Sequence, residues 1–402
     1  MRCIAPHWSA TLIIYRKDCP RVRHHRSFLR IRLLLLILHL YVGWRLIPDL
    51  AVGTIGSALL GAYLVASALL IPLVVRVTWL NGRWLAWPVA IMTGLFSFLL
   101  GFTLVRDVVL GVWAVAGSPS TAILTSSAWL VLVATLMLAG YALWQGRRLP
   151  PVVEVDVALE TLPAGLDGFT IVQLSDLHIG PTIKGGHLRR IIERTNALSP
   201  DLVAITGDLT DGRVDELMPE LESLSRIEAR HGTFCVTGNH EYYSEAEAWV
   251  AAFRRLGLRV LVNEFALLEH DTDQLAVAGI TDLTAGYYVD RHRSDPTQAA
   301  EGMPQGIPRI LLAHQPNSAP AAALSGFDLQ LSGHTHGGQI WPWSLLARRA
   351  NRFLAGLGRE GRMWVYTSRG TGYWGPPMRL GAPSEITRIR LRQAEGASIA
   401  QT

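Results

Sequence analysis

Cysteine is almost absent from this chain: Cys3, Cys19 and Cys235 are all it has. Three scattered thiols exclude a disulfide framework and a thiolate metal site. Lysine is scarcer still, with only Lys17 and Lys184, so arginine carries nearly all of the basic charge behind the formal net +5. No long basic stripe interleaved with aromatics crosses the second half, so the basicity speaks for membrane orientation and no nucleic acid is expected. Charge of either sign is also short. At 17% charged and 50% hydrophobic over 402 residues, the chain is too apolar for a soluble protein of its length.

The apolar excess lies in the first third. Residues 1–32 hold Arg16, Lys17, Arg21, Arg23, Arg26, Arg30 and Arg32 and read as an unstructured basic cytoplasmic tail. Residues 33–149 read as a transmembrane region of about four helices, with apolar stretches near 33–47, 52–75, 84–105 and 122–144. The last three reach the roughly 20 residues that a bilayer helix needs. The first is shorter and competes with a signal-peptide reading, but no small-x-small cleavage site follows it. Four spans leave both ends on one side. The tail, the Arg76 and Arg83 loop and Arg147-Arg148 then place the second half in the cytoplasm by the positive-inside rule. Arg106-Asp107 near a span end reads as an interfacial pair.

Pro150-Pro151 marks a linker, since proline stops a helix and extends its predecessor. Beyond it, short Val/Ile/Leu runs alternate with segments at helical spacing, such as Leu188, Ile191, Ile192 and Thr195. That alternation predicts an α/β unit over residues 150–392, with residues 393–402 as a disordered tail. Val214 to Ile227 is expected as helix and Leu258 to Val262 as strand. Gly356-Leu357-Gly358-Arg359-Glu360-Gly361 spells a dinucleotide-binding pattern, but neither a clear strand nor a clear helix flanks it, so it reads as loop.

Five apolar runs end in metal-friendly residues: Ser175-Asp176-Leu177-His178, Gly207-Asp208-Leu209-Thr210-Asp211, Gly238-Asn239-His240-Glu241, Ala313-His314 and Gly333-His334-Thr335-His336. Carboxylate, amide oxygen and imidazole suit divalent ions of intermediate hardness, with Mn, Fe or Zn fitting best. In an extended strand, residues two apart share a face, so Asp176 with His178, and His334 with His336, can aim into one pocket. The glycines before Asp208, Asn239 and His334 are expected to allow tight turns. Singly, an Asp at these places can cap a helix and His314 can be a satisfied core histidine. In company, the metal reading prevails. His187, His231, His270 and His292 are assigned to the surface.

These motifs, in this order over residues 152–392, resemble the calcineurin-like metallophosphoesterases, and the stretches around them are similar to a membrane-anchored phosphodiesterase branch of that family. The resemblance implies two mixed sheets in a sandwich flanked by helices. It implies that Asp176, His178 and His336 hold one divalent metal ion and Asn239, His314 and His334 a second, with Asp208 bridging both. Two such ions held about 3.5 to 4 Å apart can share a hydroxide and clamp a phosphoryl group. His240 is implied as the catalytic group facing the phosphate, with Asp211 orienting it.

The expected function is a membrane-anchored phosphohydrolase that uses metal-activated hydroxide on a phosphodiester or pyrophosphate, with a lipid-linked substrate such as UDP-diacylglucosamine as one candidate. The alternatives are a non-catalytic membrane sensor or scaffold that binds a phosphorylated ligand, and a transporter with a regulatory hydrolase attached. Residues 340–352, with Trp341, Trp343, Leu345, Leu346, Arg348, Arg349 and Arg352, read either as a core segment with a basic face or as an amphipathic lip that meets the bilayer or a lipid substrate near the metals. Arg369 reads either as a phosphate contact or as an ordinary ion pair.

Overall fold

The computed structural model describes residues 22–73 and 83–394. The expectations for residues 1–21, for Arg76 and for the tail beyond Ala394 lie outside the described residues. Two compact units emerge: the helices up to Arg147 together with Gly375–Leu380, and Arg148–Trp374 together with the chain from Gly381 on.

The helical unit contains α1 (Val22–Leu50), α2 (Gly53–Leu70), α3 (Arg83–Ala116) and α4 (Thr121–Arg147). Each includes a stretch long and apolar enough to cross a bilayer, from Leu29–Leu50 to Thr121–Arg147. Residues from Val22 to Arg32, expected in the tail, belong to α1. The helices show the reverse of a water-soluble pattern: Leu34, Trp44, Leu130 and Leu136 face outward while His39, Ser67, Thr103 and Thr135 are buried. An apolar outer face is what a lipid solvent selects. Arg106 and Asp107 do not chiefly pair with each other. Buried Arg106 bonds to Asp49, to Ser127 Oγ at 2.9 Å and to the Arg45 and Leu124 carbonyls, while Asp107 takes Arg45 at 2.7 Å and Tyr41 at 2.6 Å. Arg106 and Asp107 Oδ2 thus find their partners within the helices, as a low-dielectric surrounding favours, while buried Asp107 Oδ1 has only Arg106 Nη1 near it, at 3.9 Å.

The second unit is built on two six-stranded sheets. The strands are β1 (Val152–Leu159), β2 (Thr170–Leu174), β3 (Leu202–Thr206), β4 (Thr233–Val236), β5 (Arg259–Val260), β6 (Glu264–His270), β7 (Asp273–Gly279), β8 (Arg309–Leu312), β9 (Leu329–Ser332), β10 (Gly356–Glu360), β11 (Met363–Thr367) and β12 (Ile386–Gln393). One sheet runs β1-β12-β2-β3-β4-β5 and the other β10-β11-β9-β8-β7-β6. Strands β2 to β5 are mutually parallel, as are β7, β8, β9 and β11.

The helices of this unit are α5 (Gly185–Asn196), α6 (Val214–Leu221), α7 (Asn239–Tyr243), α8 (Ala246–Arg255), α9 (Pro296–Ala299), α10 (Ala319–Leu324) and α11 (Ser344–Ala350). Strand alternation sorts the core into three layers. Ile171, Leu202, Phe234, Val277, Ile310 and Leu329 meet between the sheets. On the far face of the first sheet, Val172, Val203 and Cys235 pack with Leu188, Ile191, Trp249 and Phe253 of α5 and α8. On the far face of the second, Ala276, Leu311 and Val365 pack with Ala299, Ala319 and Ala322. Burial on both faces explains why the central strands read as unbroken apolar runs. This is the two-sheet α/β sandwich that the resemblance implies.

Three local expectations are corrected. Gly356–Glu360 is a strand, not a loop, because β11 supplies a full antiparallel partner from Gly356↔Thr367 to Glu360↔Met363. The helix expected through Ile227 ends at Leu221 and continues as a tighter turn over Glu222–Arg226, with Pro219 lying within its last turn. His270 and His292 are buried rather than on the surface. His270 is bonded to His231 at 2.9 Å and His292 to Tyr242 at 2.9 Å.

Candidate metal centre

The five motifs stand at the carboxyl ends of β2, β3, β4, β8 and β9, where ligand sites of parallel sheets are placed by topology. Extended geometry does not carry Asp176 and His178 into one pocket. Both have left-handed backbones, φ 54° and 46°, and so do Asp208 at 51°, His334 at 70° and His336 at 50°. Left-handed non-glycine residues cost about 1–3 kcal/mol each and persist only where their surroundings over-determine them. The preceding glycines meet the expectation only in part. Gly207 is left-handed, φ 89°, but Gly333 serves by lacking a side chain: a Cβ there would stand 1.9 Å from Ser175 Oγ and 2.2 Å from Asp176 Oδ2.

Backbone hydrogen bonds hold the strained loops. The Asp176 carboxylate accepts from His334 N at 2.9 Å, and Asp208 Oδ1 accepts from His240 N at 2.9 Å. Glu241, fully buried, accepts from the N–H groups of Gly238 (2.7 Å), Leu209 (2.9 Å), Thr210 (3.1 Å) and Asp208 (3.2 Å). One carboxylate thus ties the β3 loop to the β4 loop. Its burial, with Asp208 nearby, raises its pKa to about 7.

Two groups of donors face inward. The Thr206 carbonyl can only accept, so the 2.8 Å contact to His314 puts a proton on Nδ1. Nε2 then points at Asp208 Oδ2 (3.1 Å), Asn239 Oδ1 (3.1 Å) and His334 Nδ1 (3.2 Å). In the other group, His178 Nδ1 lies 2.9 Å from Asp211 Oδ1, which turns its Nε2 toward His336 Nε2 at 3.1 Å, and His336 Nε2 lies 3.5 Å from Asp176 Oδ1. Asp176, His178 and His336 form one such cluster, and Asp208, His314 and His334 another. Oxygen and imidazole lone pairs converging on one point repel one another unless a proton or cation lies between them, so the residues present fit divalent metal ions.

The charges respond accordingly. Burial would push Asp208 up, but His314, His240 and His178 around it hold it well below the usual carboxylate range. Burial would push His314 down, but Asp208 raises it well above an ordinary imidazole. His334 is lowered by burial and by the neighbouring His314.

His240 is buried beside these clusters, with Nδ1 2.6 Å from Asp211 Oδ1 and Nε2 3.9 Å from Asp208 Oδ2. It is also within ligand reach of His178 and Asp208. Burial opposes its charge, yet Asp208 and Asp211 raise its pKa to about 9. Its ring lies 5.1 Å from Tyr243 and 6.0 Å from Trp374. Arg369 is in an ion pair with buried Glu385 at 2.6 Å.

Sequence reasoning missed Asp282, Tyr243 and Trp374. Asp282 is buried, is bonded to Gln315 Nε2 at 2.8 Å, and contributes to raising His314. The signal was present, since Asp282 is also an acid shortly after an apolar strand, β7. Tyr243 follows His240 by three residues on the same helix, a spacing that places the two side by side, whereas Trp374 is brought to His240 by tertiary packing, which has no local signature.

The model of the calcineurin-like phosphoesterase family matches residues 169–338. The chain is 41% identical over 273 residues to a transmembrane protein with metallophosphoesterase domain of Danio rerio, covering 66% of this chain and 62% of that protein. It is 38% identical over 276 residues to the Bos taurus protein of the same description, with the same coverage. An uncharacterized metallophosphoesterase of Helicobacter pylori is 36% identical over 261 residues, covering 64% of this chain and 68% of that one. The chain therefore spans somewhat less than two thirds of the two animal relatives. With the sheet sandwich and the family match over the donor-bearing strand ends, the chain belongs to the calcineurin-like metallophosphoesterase family.

Proposed function

We propose that this protein is a membrane-anchored hydrolase of phosphodiester or pyrophosphate bonds that works with two divalent metal ions. The supporting observation is the convergence of His314 Nε2, Asp208 Oδ2, Asn239 Oδ1 and His334 Nδ1 within 3.1–3.2 Å of the imidazole nitrogen. Asp176, His178 and His336 would hold one ion and Asn239, His314 and His334 the other, with Asp208 shared between the two groups. Mn, Fe or Zn suits this donor set. When bound, the ions supply water activation near neutral pH and neutralise phosphoryl charge.

The remaining work falls to the chain's own groups. Asp211 holds the Nδ1 proton of His240 and so leaves Nε2 as the atom that meets the substrate. A positively charged His240 stabilises the phosphoryl oxygens and hands its Nε2 proton to the leaving oxygen. Glu241 keeps the Asp208 and Asn239 loops in register and touches no substrate. The four apolar helices keep a lipid-linked substrate within reach, and soluble nucleotide-linked substrates would also reach a cytoplasmic site. Arg147 at the end of α4 and Arg148 just after it favour a cytoplasmic catalytic unit, which a carboxyl-terminal reporter fusion tests: activity only outside the cytoplasm overturns that topology.

Hydrolysis of bis-p-nitrophenyl phosphate by the full chain in detergent tests the reaction. Turnover restored by Mn after chelation, and lost in Asp208→Asn, supports it. Folded, metal-loaded protein that turns over neither this ester nor lipid-linked diesters instead marks a ligand-binding scaffold.

A further inference from the structure

We propose that residues 341–352 form a lip that docks onto an anionic bilayer surface, independently of hydrolysis. Trp341, Leu345 and Leu346 stand 46%, 57% and 58% exposed, and α11 has no buried residue. Lone exposed apolar residues are ordinary, but three within six positions make a patch, and patches mark interaction surfaces. The composition selects the partner. Residues 339–352 contain no acid, and Arg348 and Arg349 are exposed and make no ion pair among the described residues. Only Arg352 is spoken for, by Glu360 at 2.9 Å. Tryptophan and leucine beside unneutralised arginine match the interfacial zone of a bilayer, with the apolar groups below the headgroups and the guanidinium groups among their phosphates.

The chain also keeps a bilayer within reach. Helix α4 ends at Arg147 and β1 starts at Val152, so residues 148–151 extend at most about 14 Å. The lip is pinned at both ends within its own unit, in part to the loop that carries His334 and His336. At its start, Ile340 bridges Gly381, and a Cβ on Gly338 would come within 2.5 Å of Ser344 Cα. At its end, Thr335 Oγ1 donates to the Leu354 carbonyl at 2.6 Å, and Asn317 bonds Ala350 O and Arg352 N. A segment clamped in this way meets a surface without first paying to order itself. Docking would hold the His334-His336 loop close to lipid headgroups.

The test uses the full chain with Cys3 and Cys19 changed to Ser, buried Cys235 retained, and a nitroxide at Leu345→Cys, Leu346→Cys or, as a control, Leu324→Cys. Leu324 is apolar and 91% exposed but lies on α10, outside the lip. Each is reconstituted into vesicles of equal parts phosphatidylcholine and phosphatidylglycerol, and collisions with oxygen and with a water-soluble nickel chelate are read by electron paramagnetic resonance. Labels at 345 and 346 should be several-fold less accessible to nickel, and more accessible to oxygen, than the label at 324. Arg348→Glu with Arg349→Glu should return them toward water. Nickel accessibility at 345 and 346 equal to that at 324 overturns the proposal. So does dipolar broadening between labels on two copies, which would make the patch a contact between chains.

Discussion

Asp211 reaches two histidines with one oxygen, His240 Nδ1 at 2.6 Å and His178 Nδ1 at 2.9 Å. The two imidazoles together hold its carboxyl far below the usual range despite burial. Asp211 thus couples the proposed proton donor to a proposed ligand. Asp211→Asn should lower kcat about 10²–10⁴-fold and weaken metal affinity about 10–100-fold. Kinetics at saturating Mn separate the two effects: the kcat loss remains when metal is restored, and full recovery would assign Asp211 to metal binding alone.

The pH response of the metal-free protein follows from His240. Its folded pKa of about 9 lies above the unfolded value near 6.5. The stability this gives is fully present below pH 6.5 and lost as pH rises through about 9. In chelator, the melting temperature of the native chain should fall across that window more steeply than that of His240→Gln. Parallel curves would remove His240 from the balance.

Gly333→Ala tests the packing at the centre. A Cβ 1.9 Å from Ser175 Oγ and 2.2 Å from Asp176 Oδ2 forces the β2 and β9 loops apart, at a cost of about 1–3 kcal/mol. A lower melting temperature with weakened metal binding is expected from calorimetry and metal titration.

Glu241→Gln tests the loop tie. The amide replaces one acceptor oxygen with a donor that faces backbone N–H groups, so at least one of four buried donors loses its partner, costing about 1–3 kcal/mol. Chemical denaturation should show that loss, with KM nearly unchanged at saturating metal.

Much of the centre was legible because its residues sit in short motifs at strand ends, where an apolar run stops at Asp, Asn or His. The conformation there was not. Extended pairing of Asp176 with His178 assumes that the strand continues, whereas β2 stops at Leu174 and both residues turn left-handed. Gly356–Glu360 looked like loop because no clear strand or helix flanks it and its glycines weaken a strand, whereas it pairs with β11 across the tight turn at Gly361-Arg362. His270 and His292 looked superficial because a histidine's burial depends on partners such as His231 and Tyr242, which lie far away in sequence or gain a neighbour only on folding.

The most direct measurement counts bound metal and turnover in the same sample: elemental analysis of the purified full chain beside its Mn-dependent hydrolysis of bis-p-nitrophenyl phosphate, repeated for Asp208→Asn and His314→Ala. Two ions per chain are expected in the native protein, fewer in both variants, and activity that falls with the second ion. Two ions retained in both variants, or unchanged hydrolysis with one ion or none, would contradict two-metal hydrolysis.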